Sequence, residues 1–181
     1  MSNRLSVQAY LGAAWLFLIL IPVQFYFAAA GSFSNLTFSP HMWLGLGLHA
    51  LTGVLIVIAL VGRLPRRALE WGALQFVLIG IQVGLARLQF PGSTISAEPQ
   101  FVRDLVNAIM VPIHNALGSG SGIIASLHGL NGLAIAAAAV LTVRYGRSLL
   151  KSARISTVAK PAAVVVPPSE PEPEPVLAGK E

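Results

Sequence analysis

Two long stretches of this chain carry no charged side chain, and that feature constrains its fold more than any other. No Lys, Arg, Asp or Glu occurs between Arg4 and Arg63, nor between Asp104 and Arg144. Charged residues make up 10% of the chain, against roughly 25% in soluble domains, so the surface of a soluble protein cannot be built from it. The pattern predicts an integral membrane protein.

Four apolar runs have the length of a membrane-spanning helix, about 17–25 residues. We place them at residues 7–30, 43–62, 71–88 and 122–143. Pro65 interrupts the short turn between the second and third runs, which favours an antiparallel hairpin. The sequence therefore predicts an all-α fold, an integral membrane four-helix up-down bundle within a domain that covers residues 1–154.

A cleaved signal peptide is an alternative interpretation of the first apolar run. Ala28, Ala29 and Ala30 precede Gly31, and small residues of this kind occur at the cleavage sites of signal peptides. The run is longer than the apolar core of a usual signal peptide, about 7–15 residues, which favours an uncleaved helix. Cleavage would leave three spans with the same orientation.

Two further segments differ from the spans. Residues 101–117 place apolar side chains at helical spacing around Arg103, Asp104 and Asn107, which predicts a short helix lying in the membrane interface. Residues 155–181 are rich in Pro, Ala, Val and Glu, which predicts a disordered C-terminal tail.

The basic residues indicate the orientation. Of the 12 Lys and Arg residues, all except Arg87 and Arg103 fall on one side of the four spans. The positive-inside rule places that side, with both termini, in the cytoplasm. Because the basic residues sit at helix ends and not along one polar face, the pI near 10.3 does not indicate nucleic-acid binding.

The composition also limits the chemistry. The chain has no cysteine, which excludes thiolate metal sites, iron–sulfur clusters and covalently attached c-type haem. Outside the tail the acidic residues are Glu70, Glu98 and Asp104, and no Ser/His/acid trio has a plausible meeting point. Enzymatic activity stays open, but an electron-transfer or accessory subunit is favoured over a stand-alone enzyme.

Four polar residues inside the spans lie at one depth. Each is six residues from the outer end of its predicted span, about 9 Å at 1.5 Å per residue. They are Gln24, His49, Gln82 and His128. Polar side chains are costly in hydrocarbon and often mark a functional site.

The two histidines suggest a haem. In an up-down bundle the second and fourth spans are diagonal, about 13 Å apart when adjacent axes are about 9.5 Å apart. His49 and His128 would then be axial ligands of a b-type haem iron near the outer leaflet. The remaining predicted pocket residues are Gly45, Gly53 and Gly132, which leave space for a macrocycle, and Gln24, Gln82 and Asn131, which would contact the haem or a quinone.

Other interpretations remain. Polar side chains often join membrane helices without any cofactor, which predicts an accessory subunit of a larger membrane complex. A small transporter or proton path is less favoured, because no carboxylate lies within the spans. Gly80 and Gly84 form a Gly-x-x-x-Gly pair that predicts contact with another subunit or another copy, with lipid contact as the alternative. His41 and His114 are expected outside the membrane, as ordinary interfacial residues rather than a weak metal site.

The chain resembles an uncharacterised family of small bacterial four-helix membrane proteins. The resemblance rests on the pattern from Trp43 to Gly53, WLGLGLHALTG, and on the pattern from Leu127 to Gly132, LHGLNG. It implies a bacterial inner membrane location, the bundle and the two histidines, and it implies no reaction. The paired membrane histidines are also similar in architecture to the b-haem anchor subunits of respiratory enzymes.

Overall fold

A computed structural model describes residues 4–33, 37–89, 100–117 and 121–158. These residues form helices and short connecting turns, with no strand among them. The helices are α1 (Arg4–Phe33), α2 (Ser39–Val61), α3 (Arg66–Gln89), α4 (Gln100–Leu117) and α5 (Ser121–Val158). All except α4 are long and apolar enough to cross a membrane. The predicted all-α fold with four apolar helices is confirmed.

The helices extend beyond the predicted spans because a hydropathy run ends where charge begins, whereas a helix continues. α2 begins at Ser39 and not at residue 43, since Pro40 in its first turn suits a helix start. α5 passes Val143 and reaches Val158, so it includes 155–158 of the predicted tail. Residues 159–181 lie outside the described residues.

The four long helices form a ring. α1 packs against α2 and α5, and α3 packs against the same two helices. Among the described residues, α2 and α5 share no Cα pair within 8 Å, which makes them diagonal partners as expected for the up-down order. α4 packs against α3.

Two hydrophobic clusters fill the ring. One lies at the end that carries Arg4, Arg63 and Arg144, which we term the basic end. Its buried side chains include Val7, Tyr10, Leu55, Ala59, Ala68 and Val143. The other lies towards the opposite end, which we term the histidine end, and its buried members are Phe17, Ile21, Leu48, Ile79, Ile135 and Ala139.

The extension of α5 beyond Val143 is held by the basic-end cluster. Tyr145, Leu149 and Leu150 are partly buried against it. Tyr10 of α1 reaches across the same end, and its hydroxyl donates a 2.9 Å hydrogen bond to the Ala68 carbonyl of α3. These contacts explain why the helix continues where hydropathy alone predicts its end.

The helix α4 is amphipathic. One side exposes apolar side chains, Phe101, Leu105, Ile109 and Ile113. His114 lies near its end, with Nδ1 2.6 Å from the Leu88 carbonyl of α3. This contact fixes α4 beside the last turn of α3.

Candidate functional site

The first hydrogen-bonded group of polar residues at the histidine end joins α1 to α2. The Gln24 amide Nε2 donates to the His41 carbonyl at 2.8 Å. In return, His41 Nδ1 lies 3.1 Å from the Gln24 carbonyl. Because a carbonyl only accepts, this contact places the imidazole proton on Nδ1 and leaves the lone pair on Nε2.

The second group joins α3 to α5. Gln82 Nε2 donates to the His128 carbonyl at 3.1 Å. Asn131 Nδ2 donates to Gln82 Oε1 at 2.6 Å and to the Leu78 carbonyl at 2.9 Å. These bonds fix the rotation of α5 against α3, and therefore the direction in which His128 projects.

The structure brings His128 beside His41. Their ring centroids are 6.3 Å apart, with the ring planes tilted by 50°. His128 Nδ1 is buried and has no hydrogen-bond partner among the described residues. His41 was expected in a loop outside the membrane. It instead lies within α2 because that helix begins earlier than hydropathy indicates.

His49 lies elsewhere on α2. Its ring packs against Phe76 of α3 with centroids 4.3 Å apart, and its Nε2 is buried without a hydrogen-bond partner among the described residues. In the described part of the chain, no hydrogen bond or ring contact joins His49 to His128. The buried face of α2 follows Leu48 and Thr52, and His49 is about 100° from Leu48 around the helix.

The predicted pocket glycines differ in their surroundings. A Cβ on Gly45 would lie 3.1 Å from Gln24 Nε2, and a Cβ on Gly132 would lie 3.3 Å from the Phe25 ring. A Cβ built on Gly53 would have no neighbour within 4 Å among the residues that the structure describes. Gly45 and Gly132 thus allow side chains of α1 to approach α2 and α5.

The pair predicted for partner contact lies on α3. Within the described chain, a Cβ built on Gly80 or Gly84 would likewise have no contact within 4 Å, and Gly80 is exposed. Gly80 therefore lies on the outer side of α3, and its contact with another subunit or copy stays a prediction.

The donor atoms suit a ligand that requires two imidazoles. His128 offers a buried Nδ1 without a hydrogen-bond partner in the described chain. His41 Nδ1 faces a carbonyl, and its Nε2 lies 3.4 Å from the Gln24 amide Nε2, a contact that a metal at this nitrogen would replace. Structural zinc usually takes four protein ligands, whereas an iron held by four porphyrin nitrogens needs two. Two imidazoles therefore match the number of protein ligands that a bis-histidine haem would require.

Two buried polar contacts near the basic end were missed from the sequence. Gln75 Nε2 donates to Thr142 Oγ1 at 2.6 Å, and Thr142 donates to the Ala138 carbonyl at 2.8 Å. The Tyr10 bond to Ala68 is the other. Comparison of depths along the spans would have paired Gln75 with Thr142. Both residues lie within about one helical turn of the inner ends of their predicted spans.

Comparison with known proteins gives a family match to part of the chain. The match covers the pattern from Trp43 to Gly53, while the pattern from Leu127 to Gly132 lies outside it. No curated protein and no solved structure matches the chain. Residues 24–89 match the model of a family of unknown function (DUF6220), which confirms the resemblance to an uncharacterised family.

Proposed function

We propose that this protein is an electron-transfer subunit of a membrane complex and holds one b-type haem at the histidine end. The observation that carries the proposal is the 6.3 Å separation of the His41 and His128 ring centroids. Two imidazoles this close would be able to hold one metal ion between them, with metal–nitrogen distances of about 2.0 Å, and the haem would supply a one-electron carrier.

His128 is the proposed ligand from α5, and His41 is the favoured ligand from α2. The Gln24 carbonyl orients the His41 ring through Nδ1, as second-shell acceptors commonly orient metal-binding histidines. His49, which depth alone predicted as the α2 ligand, is the alternative, and its buried Nε2 supports it.

The surrounding residues would position the ligands and limit access by water. Gln82 and Asn131 hold α5 in register with α3 at His128. Phe25 covers Gly132, and its side chain is 42% exposed. When bound, a haem supplies a one-electron carrier whose potential depends on its axial ligands and their surroundings. A quinone or a partner protein is the proposed exchange partner.

The test is the visible absorption spectrum of the protein purified in mild detergent after expression with haem supply. The oxidised and dithionite-reduced forms are expected to show a low-spin b-type spectrum. His128→Ala and His41→Ala should lose it. His114→Ala is the matched control, because His114 lies on α4 and contacts α3, and it should keep the wild-type spectrum.

Each outcome has a defined meaning. A folded wild-type protein that remains colourless with haem supply would contradict the proposal. A spectrum that survives in His41→Ala and disappears in His49→Ala would retain the haem and move the second ligand to His49.

A cofactor-free accessory subunit is the second candidate, favoured by a specific observation. Side-chain hydrogen bonds from Gln24, Gln75, Gln82 and Asn131 each join two helices. That is the role expected of polar residues that stabilise a membrane bundle. This function predicts a colourless protein in which His128→Ala alters stability alone, with the α3 face around Gly80 as a surface for other subunits or a second copy.

We also propose a bacterial inner membrane location with both termini in the cytoplasm. The support is the charge distribution: Arg4, Arg63 and Arg144 lie at one end of the helices, whereas Arg87 and Arg103 belong to the other. Retention of basic residues on the cytoplasmic side is the general rule for short loops.

A further inference from the structure

A groove opens between α3 and α5 at the basic end, apart from the histidines. Its volume is about 420 Å³, within the range of about 300–1,000 Å³ typical of small-ligand sites. The lining residues are Arg67, Glu70, Trp71, Leu74, Leu141 and Tyr145.

The groove changes from polar to apolar along its length. Arg67 precedes Leu74 by seven residues on α3, about 10 Å along the axis. Trp71 lies between them, and Tyr145 faces it from α5 as part of the same lining. Aromatic rings of this kind settle at the headgroup level of a bilayer. The groove thus has charged residues at one end, aromatic rings in the middle and leucines at the other end. This order corresponds to the headgroup, the interfacial region and the acyl chains of a phospholipid.

The charge at the polar end of the groove favours an anion. The one carboxylate of the lining, Glu70, is engaged by Arg66, with Nε to Oε1 at 2.9 Å, and Arg67 adds a second positive charge. The basic residues of α5 at the same end do not belong to the lining; they are Arg144, Arg147, Lys151 and Arg154. Basic pockets between membrane helices bind anionic lipid headgroups in general.

We propose that this groove binds an anionic phospholipid. Arg67 holds the phosphate, the Tyr145 hydroxyl donates a second hydrogen bond, and the acyl chain lies against Leu74 and Leu141. The site is independent of the proposed haem, because Leu141 is 13 residues beyond His128 on the same helix, about 20 Å along its axis. If binding at one of the two sites is disproved, binding at the other can still be tested.

The experiment uses the full chain reconstituted into phosphatidylcholine vesicles with and without phosphatidylglycerol. The readouts are the thermal unfolding midpoint and the phosphatidylglycerol retained in native mass spectrometry after transfer to detergent. Phosphatidylglycerol should raise the midpoint of the wild type. Arg67→Ala should bind it about fivefold more weakly, since one basic side chain near a lipid surface contributes about 1 kcal/mol.

Arg147→Ala is the matched control, because it removes the same charge from the opposite side of α5, about 200° around the helix from Tyr145. It should behave as the wild type. Tyr145→Phe keeps the ring and should show a smaller loss than Arg67→Ala.

Three results would overturn the proposal. The first is equal stabilisation of the wild type by phosphatidylethanolamine. The second is equal binding of phosphatidylglycerol by folded Arg67→Ala and wild-type protein. The third is full stabilisation by inorganic phosphate in detergent without lipid, which would replace the lipid by a free anion.

Discussion

At the scale of single residues, amide side chains join α3 to α5 at two positions along the bundle axis. Near the basic end Gln75 is fully buried and donates to Thr142. Towards the histidine end Gln82 and Asn131 make the corresponding contacts. Hydrocarbon offers no water to replace such bonds, so a side chain that loses its partner there is left with an unmet hydrogen-bonding group. The two sets of bonds therefore fix the vertical register of the two helices.

The bond between Gln75 and Thr142 should be measurable by a double-mutant cycle. Thr142→Val removes the acceptor and leaves the buried Gln75 amide without it, at an expected cost of about 1–2 kcal/mol. Gln75→Leu combined with Thr142→Val should recover part of that loss. The coupling energy is expected near the average of about 0.6 kcal/mol for bonds between membrane helices, with about 1.7 as the upper range.

The free energy of unfolding in mixed detergent micelles provides the measurement. Strictly additive effects of the two substitutions would show that the bond contributes nothing to stability.

Sequence reasoning predicted a shared depth for the polar residues, but it did not predict the direction in which their side chains point. The shared level of Gln24, Gln82 and His128 follows from counting residues, because the rise per residue is fixed. Helix rotation depends on which side chains pack at each interface, and a single sequence does not contain that information in a form that periodicity reveals. The sequence therefore pointed to His49 as the α2 histidine beside His128, whereas the structure places His41 there.

At the scale of the helices, the hairpin between α2 and α3 depends on a close approach by α1. A Cβ on Gly62 would lie 2.5 Å from the Ser6 Cβ. The following residue, Arg63, has a φ of 48°, and Leu64 N donates to the Ala59 carbonyl at 2.9 Å. A left-handed residue with this bond is a common way to end a helix. The turn is therefore packed tightly against the start of α1.

Gly62→Ala is expected to destabilise the protein by about 1–3 kcal/mol, because the added methyl group overpacks against Ser6. Gly80→Ala is the control, since its Cβ would meet none of the described residues within 4 Å. Within a helix that change should be neutral or stabilising by up to about 1 kcal/mol. Thermal unfolding in detergent compares the two variants, and equal midpoints would contradict the close approach.

The helices themselves were predictable, and their ends were not. Hydropathy identifies chain that prefers lipid, so it located the four spans. It stops at polar residues that a helix readily contains, which is why Ser39, Pro40 and His41 were assigned to a loop. It also stopped at Arg144, although Tyr145 and Leu149 continue to pack against the core.

At the scale of the whole molecule, the charges divide the bundle into two unlike ends. The absence of cysteine permits a direct test of the orientation by single-cysteine labelling. Ser39→Cys lies at the start of α2 and Ser152→Cys in the extension of α5, and both positions are exposed. An impermeant maleimide should label Ser39→Cys in intact spheroplasts and Ser152→Cys only after the membrane is opened. The reverse order of labelling would invert the topology.

The length of α5 has a mechanical consequence. Its 38 residues span about 57 Å at 1.5 Å per residue, whereas the hydrocarbon layer is about 30 Å thick. Val158 lies 15 residues past Val143, about 22 Å farther along the axis. Tyr145 and Leu149 anchor this extension in the bundle. One continuous helix therefore connects the end at Val158 with the turn that carries His128.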